Sequence, residues 1–382
     1  MGKNIHWRVI PLIKKPRKSL QFLYHRMKSE IAYRYPFEFA PAPFELIFFL
    51  TYKCNLSCSF CGQRKKDVGY ISKLPKGMTD SEVSVDVLKI LLDELSPEKT
   101  ELTLCGGEIF FYRDWKKFLD YAFKKGFRIT IITNGTHLPE NAEYFVDNRL
   151  NRLTVSIDGP ERVHDRLRGK PGLYSDILKG LEKIISLRKT INTGYPLIWI
   201  NCTVSNLNQG HLLEFYNSVK SITFDKICFQ HIFHLNKKTL ETHDSIFKSL
   251  FEMECYDWRG YLDNLEGLSV DLLHKELAEL KSINDPRILV IPDFTEYEIH
   301  EYYKNPDFRS TTYQWKCKGP WRSVYVLPDG TVTPCCFYKA GNIRYNSFKE
   351  IWNGKPIRKF RNQLRKLSVF PVCYTCPVLY RY

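Results

Sequence analysis

The sequence predicts an α/β protein: a partial (β/α)6 barrel of the TIM type followed by a small C-terminal unit. Three observations carry this. Six short, apolar, β-rich runs recur between residues 45 and 235. Helical patterns lie between most of them, which implies parallel strands joined by right-handed crossovers. The alternation then stops, and a cysteine-rich stretch closes the sequence. Six strand–helix units make about three quarters of the eight-unit barrel.

Each element has its own signal. Residues 1–44 read as a basic extension. Within it, 19–34 reads as an amphipathic helix capped by Ser19, with Leu20, Leu23, Tyr24, Met27 and Ile31 on one face. Residues 35–44, rich in Pro and aromatics, read as a linker. Strands are expected at 45–51, 101–105, 128–133, 152–157, 197–204 and 226–231. Between the first two, Val83, Val85, Val87, Leu88, Ile90, Leu91 and Leu92 recur at helical spacing over 83–94. Residues 115–125 and 175–188 are similar. The barrel thus occupies 45–235. Residues 236–310 read as connecting helices and loops, with 269–282 the clearest helix. Residues 311–382 form the last unit. It opens with a hairpin of 324–327 and 331–334 turning at Asp329-Gly330, followed by helices at 347–353 and 356–366.

The 382 residues are 43% hydrophobic and 26% charged, the proportions of a globular protein rather than a disordered one. No apolar run approaches the ~20 residues of a membrane-spanning helix. Lys14, Lys15, Arg17 and Lys18 break the pattern of a secretory signal, so a cytoplasmic protein is expected. The net charge is +15, unevenly placed. Residues 1–34 hold nine Lys/Arg and one acidic residue; residues 351–382 hold seven Lys/Arg and none; the remainder is neutral. A neutral body argues against a nucleic-acid partner. The basic N-terminal stretch has two readings. It packs across the barrel with its charges in solvent, or it makes a peripheral contact with an anionic membrane.

Twelve cysteines in a cytosolic chain point to metal or redox chemistry rather than disulfides. Cys105, Cys202, Cys228 and Cys255 stand alone. Cys54-x3-Cys58-x2-Cys61 follows the first strand directly, where barrel loops face the active site. Three thiolates leave one iron of a [4Fe–4S] cluster open for catalysis. Zinc is the alternative, but it wants a fourth ligand close by. Cys317, Cys335, Cys336, Cys373 and Cys376 form a second group. Four ligands there can close either a zinc site or a cluster.

Cys-Asn-Leu-Ser-Cys-Ser-Phe-Cys at 54–61, Phe60 included, resembles the signature of the radical S-adenosylmethionine enzymes. The resemblance implies a partial six-stranded barrel. It also implies that S-adenosylmethionine chelates the open iron of a [4Fe–4S] cluster held by Cys54, Cys58 and Cys61. One electron then yields a 5′-deoxyadenosyl radical that abstracts hydrogen from a substrate carbon. Cys105-Gly106-Gly107-Glu108 looks like the family's Gly-Gly-Glu motif, with Gly106 and Gly107 against the methionine part and Glu108 receiving its ammonium. Ile131-Ile132-Thr133-Asn134-Gly135 is also typical of the family. By the same resemblance Ser156 binds the ribose hydroxyls. Arg166 and Arg168, the latter preferred, are candidates for the methionine carboxylate. Asn201, Thr203 and Asn206 face the adenosine. Cys317-x12-Gly330-x4-Cys335 resembles the twitch or SPASM domain, as do Lys318-Gly319-Pro320-Trp321, Gly341-Asn342-Ile343 and Glu350-Ile351-Trp352. This implies one closed auxiliary [4Fe–4S] cluster on Cys317, Cys335, Cys373 and Cys376, suited to electron transfer. The tail's cations would favour its reduced form. Cys336 is left as a spare buried thiol.

The resemblance implies oxidation, crosslinking or epimerisation of a small-molecule (sugar-like), lipid-linked or peptide substrate. A reducing partner such as flavodoxin or ferredoxin is implied with it. Gln230 and His231, with His234, end the sixth strand and are candidates to hold substrate or accept a proton. Residues 1–44 are too short for a leader-binding winged helix, which counts against a peptide. Cys202 and Cys228 read as buried structural thiols. The rival readings are an RNA-modifying member of the same superfamily and a non-enzymatic zinc-binding module.

Overall fold

The computed structural model describes residues 16–382 except 36–38, 66–67, 76, 99, 256, 263–264, 336–337 and 382. Helix α1 (Pro16–Arg34) leads into β1 (Glu45–Phe49), α2 (Val85–Leu95), β2 (Glu101–Cys105), α3 (Trp115–Lys124), β3 (Ile129–Thr133) and α4 (Leu138–Asp147). Then come β4 (Arg152–Ser156), α5 (Glu161–Arg168), α6 (Leu173–Thr190), β5 (Leu197–Val204), α7 (Leu212–Val219) and β6 (Lys226–His231). The six strands match the sequence expectation to within two residues. Caps fix the helix starts: Ser84 accepts the N–H of Val87 before α2, and Ser269 accepts the N–H of Leu272 at the start of the later helix over 270–282.

The connecting stretch holds α8 (Lys237–Phe251), α9 (Val270–Ser282), β7 (Ile288–Ile291) and α10 (Glu296–Lys304). The last stretch holds β8 (Ser323–Val326), β9 (Thr331–Thr333), β10 (Gly341–Asn342), α11 (Phe348–Trp352), α12 (Lys355–Leu367) and α13 (Pro377–Arg381). Strand β7 was not foreseen. Four apolar residues between Pro286 and Pro292 carry too short a pattern to separate from a loop.

Among the described residues one sheet orders its ten strands β10-β9-β8-β1-β2-β3-β4-β5-β6-β7. Strands β8 and β1 through β7 all run parallel; β9 runs antiparallel to β8, and β10 antiparallel to β9. The six-unit barrel is therefore lengthened on both sides, by β7 after β6 and by β8 before β1.

Strand alternation divides the sheet into two faces. Leu102, Leu104, Ile129, Ile131, Leu153, Val155, Ile198 and Ile200 are fully buried against the helices. The other face is polar and curls on itself. Thr103 donates to Glu45 at 2.5 Å, the Arg381 guanidinium stands 3.4 Å from Glu45, and Arg152 lies 4.6 Å from the Trp199 ring centre. The inner surface is charged at the strand starts and more neutral toward the strand ends.

Helix α1 departs from expectation twice. It begins at Pro16, a residue suited to a first helical turn, rather than after a cap at Ser19. The expected apolar face is also outward: Leu23, Tyr24, Met27 and Ile31 are all exposed. The buried face is Ser29, Ala32 and Tyr33. Ser29 accepts from Arg322, Lys318 pairs with Glu30 at 2.6 Å, and Tyr33 meets Trp321 edge-on at 4.9 Å. Polar and aromatic partners, not aliphatic ones, set this interface.

Candidate active site

The loop after β1 carries Cys54, Cys58 and Cys61. It is held from two sides. Gly107 N–H donates to Thr51 O, Glu108 N–H donates to Lys53 O, and Ser59 N–H donates to Leu167 O of α5. A Cβ on Gly107 would stand 2.2 Å from the Lys53 carbonyl oxygen, and Gly106 has φ +112°. The two glycines thus let the loops after β1 and β2 lie backbone to backbone.

The thiols are close enough that Cys61 disfavours the ionised forms of Cys54 and Cys58. Burial raises Cys54 and pushes Cys58 up to about 11, against which the Arg168 guanidinium acts. Buried thiols of this kind are poor free thiolates and become ligands when iron offsets the charge. Among the described residues no three Cys, His or carboxylate groups converge tightly enough to hold a single metal ion.

Around them, Asn134 Nδ2 lies 3.7 Å from Cys54 Sγ and donates to Asn55 Oδ1 at 3.0 Å. Arg168 is buried. Its Nε donates to Asp158 at 2.7 Å, its Nη1 points at Cys58 Sγ from 3.6 Å, and its guanidinium lies 5.4 Å from the Phe60 ring centre. Burial works against its charge, but Asp158 and Cys58 raise its pKa overall. Arg168 therefore meets the cysteine group with its charge already shared with Asp158, a partner the sequence reading missed.

Glu108 is buried, accepting from Thr133 Oγ1 at 2.9 Å and from Asn134 N–H at 2.8 Å. Burial pushes it up to about 7 despite these bonds. A buried carboxyl held at the edge of charging is a fit partner for a ligand cation. Ser156 and Asn201 are register partners on the inner face, and Thr203 pairs with Gln230 one step along. Gln230 thus shares the inner face with Asn201, Thr203 and Cys228.

The structure does not bring His231 there. One residue on from Gln230, it points to the helix side. Its Nδ1 meets the Tyr303 hydroxyl at 2.6 Å, and burial pulls it down to about 3. His234 is likewise buried, on Tyr302 O, and pulled down to about 4. Cys202 also faces the helices, where Asn208 covers it.

In the second group, burial raises the pKa of Cys373 most, and Cys317, Cys335 and Cys376 each raise it further, so the four thiols stand together. Cys336 lies outside the described residues. Two tyrosines that motif reading missed join the groups. Tyr261 interacts with both Cys61 and Cys376, and its ring fills the space a side chain at Gly62 would need. Tyr325, on the inner face of β8, interacts with Cys376, Cys335 and Cys105. Neither sits in a recognisable pattern, since both are placed by tertiary packing.

Comparison with known proteins agrees with this geometry. Residues 48–199 match the radical SAM superfamily, and the chain belongs to it. Residues 317–377 match the SPASM iron–sulfur cluster-binding domain. The protein is thus a radical SAM enzyme with a C-terminal SPASM domain, and iron–sulfur clusters and S-adenosylmethionine are its cofactors. This sets aside the non-enzymatic zinc module. The chain is 29% identical over 329 residues to an AdoMet-dependent heme synthase of Methanosarcina barkeri, covering 84% of this chain and 85% of that protein. It is 25% identical over 352 residues to the subtilosin biosynthesis protein AlbA of Bacillus subtilis, covering 88% and 66%. Streptococcus suis SuiB shares the fold, with TM-score 0.57, 12% identity and coverage of 87% and 72%. No described helix is long and apolar enough to cross a membrane.

Proposed function

We propose that this enzyme carries out a two-electron oxidation of a peptide substrate. When bound, the [4Fe–4S] cluster and S-adenosylmethionine supply the one-electron chemistry that removes a hydrogen atom from a substrate carbon. The residues we assign to the first cluster are Cys54, Cys58 and Cys61. Phe60 and Arg168 border it, and Asn134 lies against Cys54. Glu108 receives the ammonium of S-adenosylmethionine, and Gly106 and Gly107 set its loop. Ser156 and Asn201 face the nucleoside, and Gln230 contacts substrate. Cys317, Cys335, Cys373 and Cys376 hold the auxiliary cluster.

The observation that carries the oxidation is the placing of the second cysteine group. Four thiols would leave a cluster there no open ligand position, and Tyr261 interacts with both Cys376 and Cys61, Tyr325 with Cys376, Cys335 and Cys105. A group so closed is suited to accept the second electron while a proton leaves to solvent. The peptide reading is supported by the likeness to a bacteriocin biosynthesis protein; sugar-like and lipid-linked substrates are the alternatives. Flavodoxin or ferredoxin is the proposed reductant. A peripheral membrane contact through 1–34 is supported by the exposed Leu23, Tyr24, Met27 and Ile31.

The test is anaerobic turnover with candidate peptides, following 5′-deoxyadenosine and substrate mass. The expected product is about 2 Da lighter, the loss of two hydrogens. Replacing Cys373 and Cys376 by Ala should keep 5′-deoxyadenosine formation and stop the mass change. Oxidation that persists in that variant rules the proposed electron route out.

A further inference from the structure

Helix α1 and the basic helix α12 meet. A half-enclosed cavity of about 390 Å³ lies among the starts of β1 and β8, at the opposite end of the sheet from the Cys54 loop. One wall is α12, which contributes Lys355, Arg358, Lys359, Arg361 and Arg365, five of the tail's seven cations. Asn362 of the same helix, Ala32 of α1, Phe39 and Ala40 of the linker, and Trp321 complete it. Among the described lining residues there is no carboxylate.

Arg361 is the key group. It is 4% exposed. Its Nε donates to Pro320 O at 2.9 Å and its Nη1 to Trp352 O at 3.0 Å, while its guanidinium lies 4.1 Å from the Trp352 ring centre. Its Nη2 is buried with no hydrogen-bond partner. One turn on, Arg365 reaches Ala32 O at 3.3 Å, and its Nε is likewise buried and unpartnered. Burial, and then the charge of Arg365, pulls Arg361 down to about 9. Two adjacent guanidiniums, each with an idle buried donor, are costly unless an anion joins them.

We propose that this cavity is a binding site for a phosphate- or pyrophosphate-bearing group. A phosphate accepts the forks of two arginines at once and tolerates the surrounding lysines. The volume is that of a small-molecule site. An acidic protein surface would meet the outer lysines but would not reach Arg361. The phosphate comes either from a soluble metabolite or from a lipid headgroup; exposed Phe39 borders the cavity and suits the second.

Calorimetry of the anaerobically prepared holoenzyme with inorganic pyrophosphate tests this. Saturable one-site binding is expected. It should weaken about tenfold or more in R361Q, in keeping with a lost charge-assisted hydrogen bond. The rim variant K355A/K359A removes only exposed side chains, keeps the fold, and should weaken binding similarly. A charge-matched control, K117A/K179A, should bind as the unaltered protein does. Vesicle flotation then separates the sources. Retention on phosphatidic acid vesicles, relieved by pyrophosphate, identifies a lipid headgroup; pyrophosphate binding without retention identifies a soluble ligand. No saturable binding in either assay overturns the proposal. So does equal affinity in K355A/K359A and the control, or an acidic peptide that binds while pyrophosphate does not. Formation of 5′-deoxyadenosine should be unchanged in K355A/K359A, so this site and the proposed oxidation stand or fall separately.

Discussion

Glu108 sits where burial and hydrogen bonding nearly balance. Held at about 7, it is shared near neutrality between a charged form that can receive an ammonium and a neutral form that cannot. A cation that binds the carboxylate favours its charged form. Affinity for S-adenosylmethionine is therefore expected to fall as pH drops through about 7 and to level off above it. Equilibrium dialysis between pH 6 and 8.5 checks this. Glu108→Gln should weaken binding by about tenfold or more and flatten the pH profile, since a hydrogen bond to a charged group is worth about 1.5–3 kcal/mol. The motif placed Glu108 correctly at a strand end because its signal is local. His231 was not placed correctly, because one step along a strand reverses the side chain. Arg168 was visible as a cation near the site, but its bond to Asp158 depends on the turn between β4 and α5.

At the scale of elements, the Gly-Gly-Glu loop is a structural joint as well as the proposed ligand surface. Gly107→Ala would drive a Cβ into the Lys53 backbone. The expected cost is about 1–3 kcal/mol or more, seen as a lower unfolding temperature and less iron on the Cys54 group. Gly194→Ala, where a Cβ meets nothing within 4 Å, is the matched control and should be close to neutral. The six strands were legible because each is a short run rich in apolar and β-branched residues, recurring between helical patterns. Helix α1 was legible as a helix, yet its buried side was misassigned. Its partners Arg322, Lys318 and Trp321 lie nearly three hundred residues away, and hydrophobic periodicity does not register a face held by hydrogen bonds.

For the whole molecule, the two cysteine groups predict about eight iron and eight sulfide per chain after anaerobic reconstitution, four of each per cubane cluster. Replacing Cys54, Cys58 and Cys61 by Ala should leave about four iron and no 5′-deoxyadenosine. Iron analysis paired with chromatography of the nucleoside reads both. The net charge of +15 was visible from composition, but its meaning was not: only the fold brings α1 and α12 to the same cavity. The pairing of β8 with β1 has a consequence for electron transfer. Tunnelling rates depend steeply on distance, and a cluster on a tethered arm would have to dock before each turnover. Here the ladder from Glu45–Ser323 to Phe48–Val326 makes the auxiliary cysteines' scaffold part of the barrel wall. The spacing between the redox centres is thereby built in at folding. Moving this C-terminal unit onto another barrel would require matching an edge strand, not merely choosing a linker.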